Sequence, residues 1–235
     1  MEQGTAEPQP EARVRTPGAG GPLPGPRPHR YSVRGQVLDA LRQALAAGEL
    51  LPGEVYSAPV LAERYGVSAT PVREAMQQLA GEGAVEVVPN RGFRVCERSS
   101  RDLAELAEVR TMLELPAIVR LAQAVPPERW EELRPLAEEG VAAAARGDRA
   151  GYADADHAFH QAVIALTGNR RLTQVTGDLL RRAQWSGGGA ARPRTAELLA
   201  DASEHTALLD ALVAGECAVA ERIAREHLSA ARHPH

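Results

Sequence analysis

Between Tyr65 and Phe93 the chain reads YGVSATPVREAMQQLAGEGAVEVVPNRGF. Gly66 closes whatever helix precedes it, and Ser68 or Thr70 opens a new one with Pro71 in its first turn, where a missing N–H costs nothing. Gly81 and Gly83 end that helix. At 100° per residue Val72, Ala75, Met76 and Leu79 fall on one side and face a core, while Thr70, Arg73 and Gln77 gather opposite. AVEVV and FRVCE follow as two β-rich runs, joined through Pro89-Asn90-Arg91-Gly92 into a hairpin by turn chemistry.

Upstream, SVRGQVLDALRQALAAG is a helix capped by Ser32 and closed by Gly48, with Val33, Val37, Leu38, Leu41 and Leu45 along one face. ELLPGEVYSA reads as a turn punctuated by Pro52-Gly53, and APVLAERYG as a short second helix. Downstream of Ser99 everything reads as helix. SSRDLAELAEVRTMLELPAIVRLAQAV, PPERWEELRPLAEEGVAAAARG, DRAGYADADHAFHQAVIALTG, NRRLTQVTGDLLRRAQW, TAELLADASEHTALLDALVAG and ECAVAERIAREHLSAAR are each amphipathic and bounded by Gly, Pro or Asn. Pro116 is expected to kink the first of these, and SGGGAARPR, Ser186 to Arg194, to form a flexible loop.

The expectation is a mainly α protein of two domains: helix–helix–helix–hairpin over residues 30–98, then an all-helical bundle over 99–232. Residues 1–29, rich in Pro and Gly and without the apolar stretch of a signal peptide, read as a disordered tail. No apolar run approaches the roughly 18 residues of a membrane span, so no membrane partner is expected. Cys96 and Cys217 are too few for a zinc-thiolate site or a disulfide framework, and a reducing cytoplasm fits best. The net charge of −4 conceals a division: residues 1–98 balance 11 Arg against 11 acidic residues, whereas 99–235 set 16 against 20. Lys is absent altogether. Charge therefore permits nucleic-acid binding in the first half without demanding it.

A helix of this width fits the DNA major groove. Arg73 can pair bidentately with guanine O6 and N7, while Ser68, Thr70 and Gln77 can reach bases or phosphates. Arg34, Arg42 and Arg64 on the preceding helices are candidates for neutralising flanking phosphates. Asn90-Arg91-Gly92 has the form of a wing tip, with Gly92 permitting close backbone approach and Arg91 able to enter a minor groove.

With those residues in view, GELLPGEVYSAPVLAERYGVSATPVREAMQQLAGEGAVEVVPNRGFRV resembles the winged helix-turn-helix of the GntR family of bacterial transcription regulators. Two departures stand out. The family commonly has Arg at the positions of Pro59 and Ala69, and both arginines usually touch DNA. Arg73 keeps its place and Arg64 is positioned to compensate, so the resemblance implies DNA recognition with a changed operator or affinity.

In DADHAFH, Asp156 and His160 stand four apart and project from one helical face. His205 in ASEHTALL and His227 in AREHLSAA lie on two later helices. One carboxylate and three imidazoles form a suitable shell for a divalent transition metal, although on spacing alone a helical His is more often a surface or hydrogen-bonded residue than a ligand. The helical half is further similar to the ligand-binding (FCD) domain of the FadR-type branch in its metal-containing form. That form's Asp-x3-His, Gly-Asn and two later His match Asp156, His160, Gly168-Asn169, His205 and His227. The resemblance implies zinc or nickel at these four ligands. It also implies an organic acid held beside the metal by Arg110, and contact from Asn169. The residues alone also fit an Arg110–Glu114 ion pair and Asn169 as a plain helix cap.

The resulting expectation is a homodimeric DNA-binding regulator, a repressor, on a two-fold operator, controlled by a small carboxylate at a metal site. Two other readings are compatible with the same residues. One is a constitutive or partner-controlled regulator with a purely structural metal; the other, more remote, is a metal-dependent hydrolase.

Overall fold

The computed structural model of the chain describes residues 32–184 and 194–230. The expected tail over 1–29 and the loop between 186 and 193 lie outside the described residues.

Helix α1 (Val33–Ala47) starts where Ser32 Oγ accepts the Gly35 amide proton and stops where Gly48 turns left-handed at φ 72°. It buries Val37, Leu38, Leu41 and Ala44, whereas Val33 at its first position projects into solvent. Helix α2 (Ala58–Tyr65) is capped by Ser57 and ends at Gly66, φ 65°. The tight turn that follows delivers α3 (Ala69–Gly81), whose Val72, Ala75, Met76 and Leu79 are fully buried against α1 and α2. These four carry most of the packing that fixes α3, and truncating a buried Leu or Met to Ala costs about 2–5 kcal/mol.

Behind α3 lies a three-stranded antiparallel sheet of β1 (Val55–Tyr56), β2 (Val85–Val88) and β3 (Gly92–Val95), in the order β1-β3-β2. The hairpin register sets Val85 opposite Val95 and Val88 opposite Gly92. Strand β1 corrects the sequence reading, which took residues 49–58 as turn alone: Val55 pairs with Arg94 and Tyr56 with Phe93. Two residues are too few to show a period, and the pairing partner lies almost forty residues away. The Tyr56 hydroxyl accepts the Leu51 amide proton at 2.9 Å and so closes the turn back onto the strand.

The second half is helical throughout its described residues. α4 (Ser100–Ala124) begins with a reciprocal capping box between Ser99 and Asp102. It runs as one helix through Pro116, which is exposed, so the Met112 carbonyl that loses its donor faces water. The segment expected as a single helix from Pro126 to Gly147 is instead α5 (Pro127–Glu131) and α6 (Arg134–Ala145). Pro135 is the reason: it supplies no N–H to the Glu131 carbonyl and sits comfortably only in the first turn of a new helix. α7 (Arg149–Ala165) starts at Asp148, and α8 (Arg170–Gln184), α9 (Thr195–Val213) and α10 (Cys217–Ala230) complete the bundle.

Three apolar clusters result among the described residues, the smallest made of Ala143, Ala144, Tyr152, Leu198 and Ala202. Of the two larger, one joins α1, α2, α3 and the sheet; the other gathers Leu115, Ile118, Trp130, Phe159, Val163, Leu209, Leu212 and Leu228 from α4, α5, α7, α9 and α10. α7 also packs against α1, so the helix bearing Asp156 and His160 touches the first half of the chain directly.

Candidate metal centre and nucleic-acid interface

On α3, burial of one side leaves Thr70, Arg73, Glu74 and Gln77 exposed on the other. Ser68 occupies the N-cap position without a side-chain capping bond, so its hydroxyl is not spent on the helix. Arg73 and Arg91 have no side-chain hydrogen bond or ion pair among the described residues. Asn90 takes φ 60° at the hairpin tip, and Arg91 beside it is exposed.

The flanking arginines are differently placed. Arg34 donates to Gln78 at 2.8 Å from an exposed position. Arg64 is ion-paired with Glu49, both half exposed. Arg42 is held by Glu82 at the end of α3 and by Asp39 at 3.6 Å, so its charge ties α1 to α3 and is not free for a phosphate. Gly92 has a structural duty that sequence reading missed. Its φ is 131°, and a Cβ there would lie 2.3 Å from the Tyr56 carbonyl oxygen, so close approach of β1 requires glycine at this place.

In the helical half, α7, α9 and α10 bring Asp156, His160, His205 and His227 together. All four are buried, and one ligand atom from each lies within 4.8 Å of the others. The Nε2 atoms of His160 and His205 each stand 3.1 Å from Nε2 of His227. Asp156 Oδ1 lies 3.6 Å from Nε2 of His160 and 3.5 Å from Nε2 of His205. A tetrahedral shell with bonds of about 2.0–2.1 Å has edges of about 3.3–3.4 Å, which these separations bracket.

Surrounding carboxylates orient these side chains. Nδ1 of His160 lies 2.8 Å from Glu114 Oε2 on α4, and Nδ1 of His227 lies 2.8 Å from Glu204 Oε2 and 3.2 Å from Asp201 Oδ1 on α9. With Nδ1 of each ring turned to a carboxylate, both Nε2 atoms are aimed at a common centre, where a metal ion would replace any proton held between them. Asp156 Oδ2 accepts from Gln184 Nε2 at 3.1 Å, and Asp201 accepts from the Tyr152 hydroxyl. Phe159 stacks on His205 with ring centroids 4.2 Å apart.

Charge favours a cation as well. Asp156, Glu114, Asp201 and Glu204 set four carboxylates against the single guanidinium of Arg110. Burial pushes the Glu114 carboxyl up, but the charges and hydrogen bonds of His160 and Arg110 outweigh it and lower it to about 2. Burial alone would lower His227, yet Asp201 and Glu204 raise it to about 10. Burial and the neighbouring His227 and His160 push His205 well down, keeping it a neutral donor.

Arg110 lies at this cluster. It is buried, its Nε donates to Glu114 Oε1 at 2.8 Å, and its Nη2 is 3.4 Å from His160 Nε2. The ion pair allowed by the sequence is therefore present, but inside the protein rather than on a helix surface. Asn169 is not brought to the cluster. It is exposed before α8, and its Oδ1 accepts the amides of Arg171 and Leu172 at 3.1 Å, the work of a helix cap. Glu114, Asp201 and Glu204 are the functional candidates that sequence reading did not assign to the site.

Comparison with known proteins agrees with both halves. Residues 34–95 match the family model for bacterial regulatory proteins of the gntR family, and residues 105–230 match the FCD domain model. The chain is 32% identical over 208 residues to a probable D-xylose utilization operon transcriptional repressor of Paenarthrobacter nicotinovorans, covering 86% of this chain and 88% of the relative. It is 30% identical over 203 residues to the transcriptional repressor GlaR of Escherichia coli, covering 80% and 89%. Among solved structures it is similar to E. coli McbR/YncC, with TM-score 0.67 and 28% identity over 85% of this chain and 94% of that one. These are transcription regulators rather than enzymes, which leaves the hydrolase reading without support. The chain belongs to the GntR family of DNA-binding bacterial transcription regulators, with an N-terminal winged helix-turn-helix followed by a helical FCD domain.

Proposed function

We propose that this chain is a repressor whose hold on a two-fold operator is controlled by a small organic acid at a metal centre formed by Asp156, His160, His205 and His227. The reading head spans residues 30–98 and the sensor 99–232, and the protein works as a cytoplasmic homodimer, since two half-sites a helical turn apart require two heads. The observation that carries the reading is the convergence of four buried ligand atoms with Arg110 beside them. Zinc or nickel fits the nitrogen-rich donor set, and when bound it supplies a Lewis-acidic anchor for a carboxylate. The Arg110 guanidinium, next to the His160 ligand nitrogen, is placed to grip the same carboxylate. α7 then links site to head: it carries Asp156 and His160 and packs on α1. Control follows if the acid binds the DNA-free arrangement more tightly than the DNA-bound one.

On the head, Arg73, Thr70, Gln77 and Ser68 read the major groove, Asn90 and Arg91 form the wing contact, and Arg34 and Arg64 serve phosphates on exchanging their present partners. Gly92 contributes by shaping the wing. The test is operator binding by the metal-loaded protein across a panel of small carboxylates, repeated with Arg110→Ala. Release of DNA by one acid, lost in the variant, is the expected result. The near-complete burial of all four ligands favours one second reading, a structural metal under a constitutive DNA binder. Chelation that lowers thermal stability, with operator affinity indifferent to every acid, would select it.

A further inference from the structure

Glu74 is an exposed carboxylate in the middle of the face that α3 turns away from the core. At 100° per residue it lies about 40° from Thr70 and about 60° from Gln77, closer to the centre of that face than Arg73. It has no side-chain hydrogen bond or ion pair among the described residues, and the positions three and four away are Thr70, Pro71, Gln77 and Gln78, none of them cationic. It also lies beyond the first turn of α3, where a carboxylate would favour the helix dipole.

A bare carboxylate at the centre of a DNA-facing surface repels phosphates from every sequence alike. The base edge that offsets this repulsion is one offering an amino donor where Glu can only accept, and in the major groove that is cytosine N4. We infer that Glu74 is a specificity-determining residue that accepts a hydrogen bond from a cytosine amino group at one position of each half-site. Elsewhere it penalises binding, a repulsive element that sharpens choice rather than adding affinity. This inference rests on α3 being the helix that reads DNA.

The experiment is selection from a randomised duplex pool by the full-length, metal-loaded protein and by its Glu74→Gln and Glu74→Ala variants, both checked for an unchanged melting temperature. Wild type is expected to fix one cytosine per half-site. Glu74→Gln exchanges it for adenine, which Gln pairs through N6 and N7, and Glu74→Ala leaves that position unselected, a loss of about 10–100-fold in discrimination there. Both variants should also bind random duplex more tightly than wild type. Variants that select the wild-type sequence unchanged would overturn the inference. So would folded variants that bind no duplex, since Glu74 would then support the helix rather than read a base. A wild type that selects no sequence at all would instead fail the reading of α3 itself.

Discussion

His160 and His227 face each other through Nε2 atoms 3.1 Å apart, while the Nδ1 of each is 2.8 Å from a carboxylate, Glu114 on α4 for one and Glu204 on α9 for the other. Helices far apart in sequence thus supply both the imidazoles and the carboxylates that aim them. A buried pair of imidazoles turned toward each other in this way needs a proton or a metal ion between them. This arrangement supports the proposed cation site at the cluster.

The orienting carboxylates should matter almost as much as the ligands. Glu114→Gln keeps the shape but removes the charge that both fixes the His160 tautomer and pairs with Arg110. Competition against a chelator of known affinity should show metal binding weakened about 10–100-fold. Unchanged affinity would mean that Glu114 serves Arg110 alone.

If the metal binds only the folded chain, its removal must cost stability. At a free metal concentration about a thousand times Kd the contribution is about 4 kcal/mol. A melting curve with and without chelator should therefore shift downward on chelation, and the His205→Ala, His227→Ala double variant should not respond.

Within the head, Arg73 and Arg91 should behave differently. Arg73→Ala should lower affinity for the operator about 10–100-fold and leave affinity for random DNA nearly unchanged, as expected of a base contact. Arg91→Ala should weaken both and flatten the salt dependence. Equal effects from the two would contradict the division between reading helix and wing.

Gly92→Ala tests the wing's architecture. The added Cβ meets the Tyr56 carbonyl oxygen at 2.3 Å in a backbone conformation that L side chains rarely adopt. Denaturation should show the head destabilised by about 1–3 kcal/mol, with DNA binding reduced in step. A variant of full stability and weakened DNA binding would return Gly92 to a direct contact role.

The local features of this fold were legible in the sequence because they are set by residues near one another. Ser32 and Gly48 bound α1, the four apolar positions of α3 define its buried side, and Asp156 with His160 share a face of α7 by spacing alone. What escaped was non-local. β1 exists because Phe93 and Arg94 pair with it, and Gly92 is glycine because of Tyr56 on that strand. Asp201 and Glu204 look like ordinary charges on α9 until α10 brings His227 beside them. The break at Pro135 is different, since its signal was local and was outweighed by continuous amphipathic patterning on either side. For Asn169, the capping alternative accounts for its hydrogen bonds and the effector contact does not.

The most direct test of the sensor is the metal content of the protein purified without chelator, set beside the His205→Ala, His227→Ala double variant. The account predicts about one zinc or nickel ion per chain in the wild type and none in the variant. A folded wild type that carries no metal, and takes up none when zinc and nickel are supplied, would contradict it.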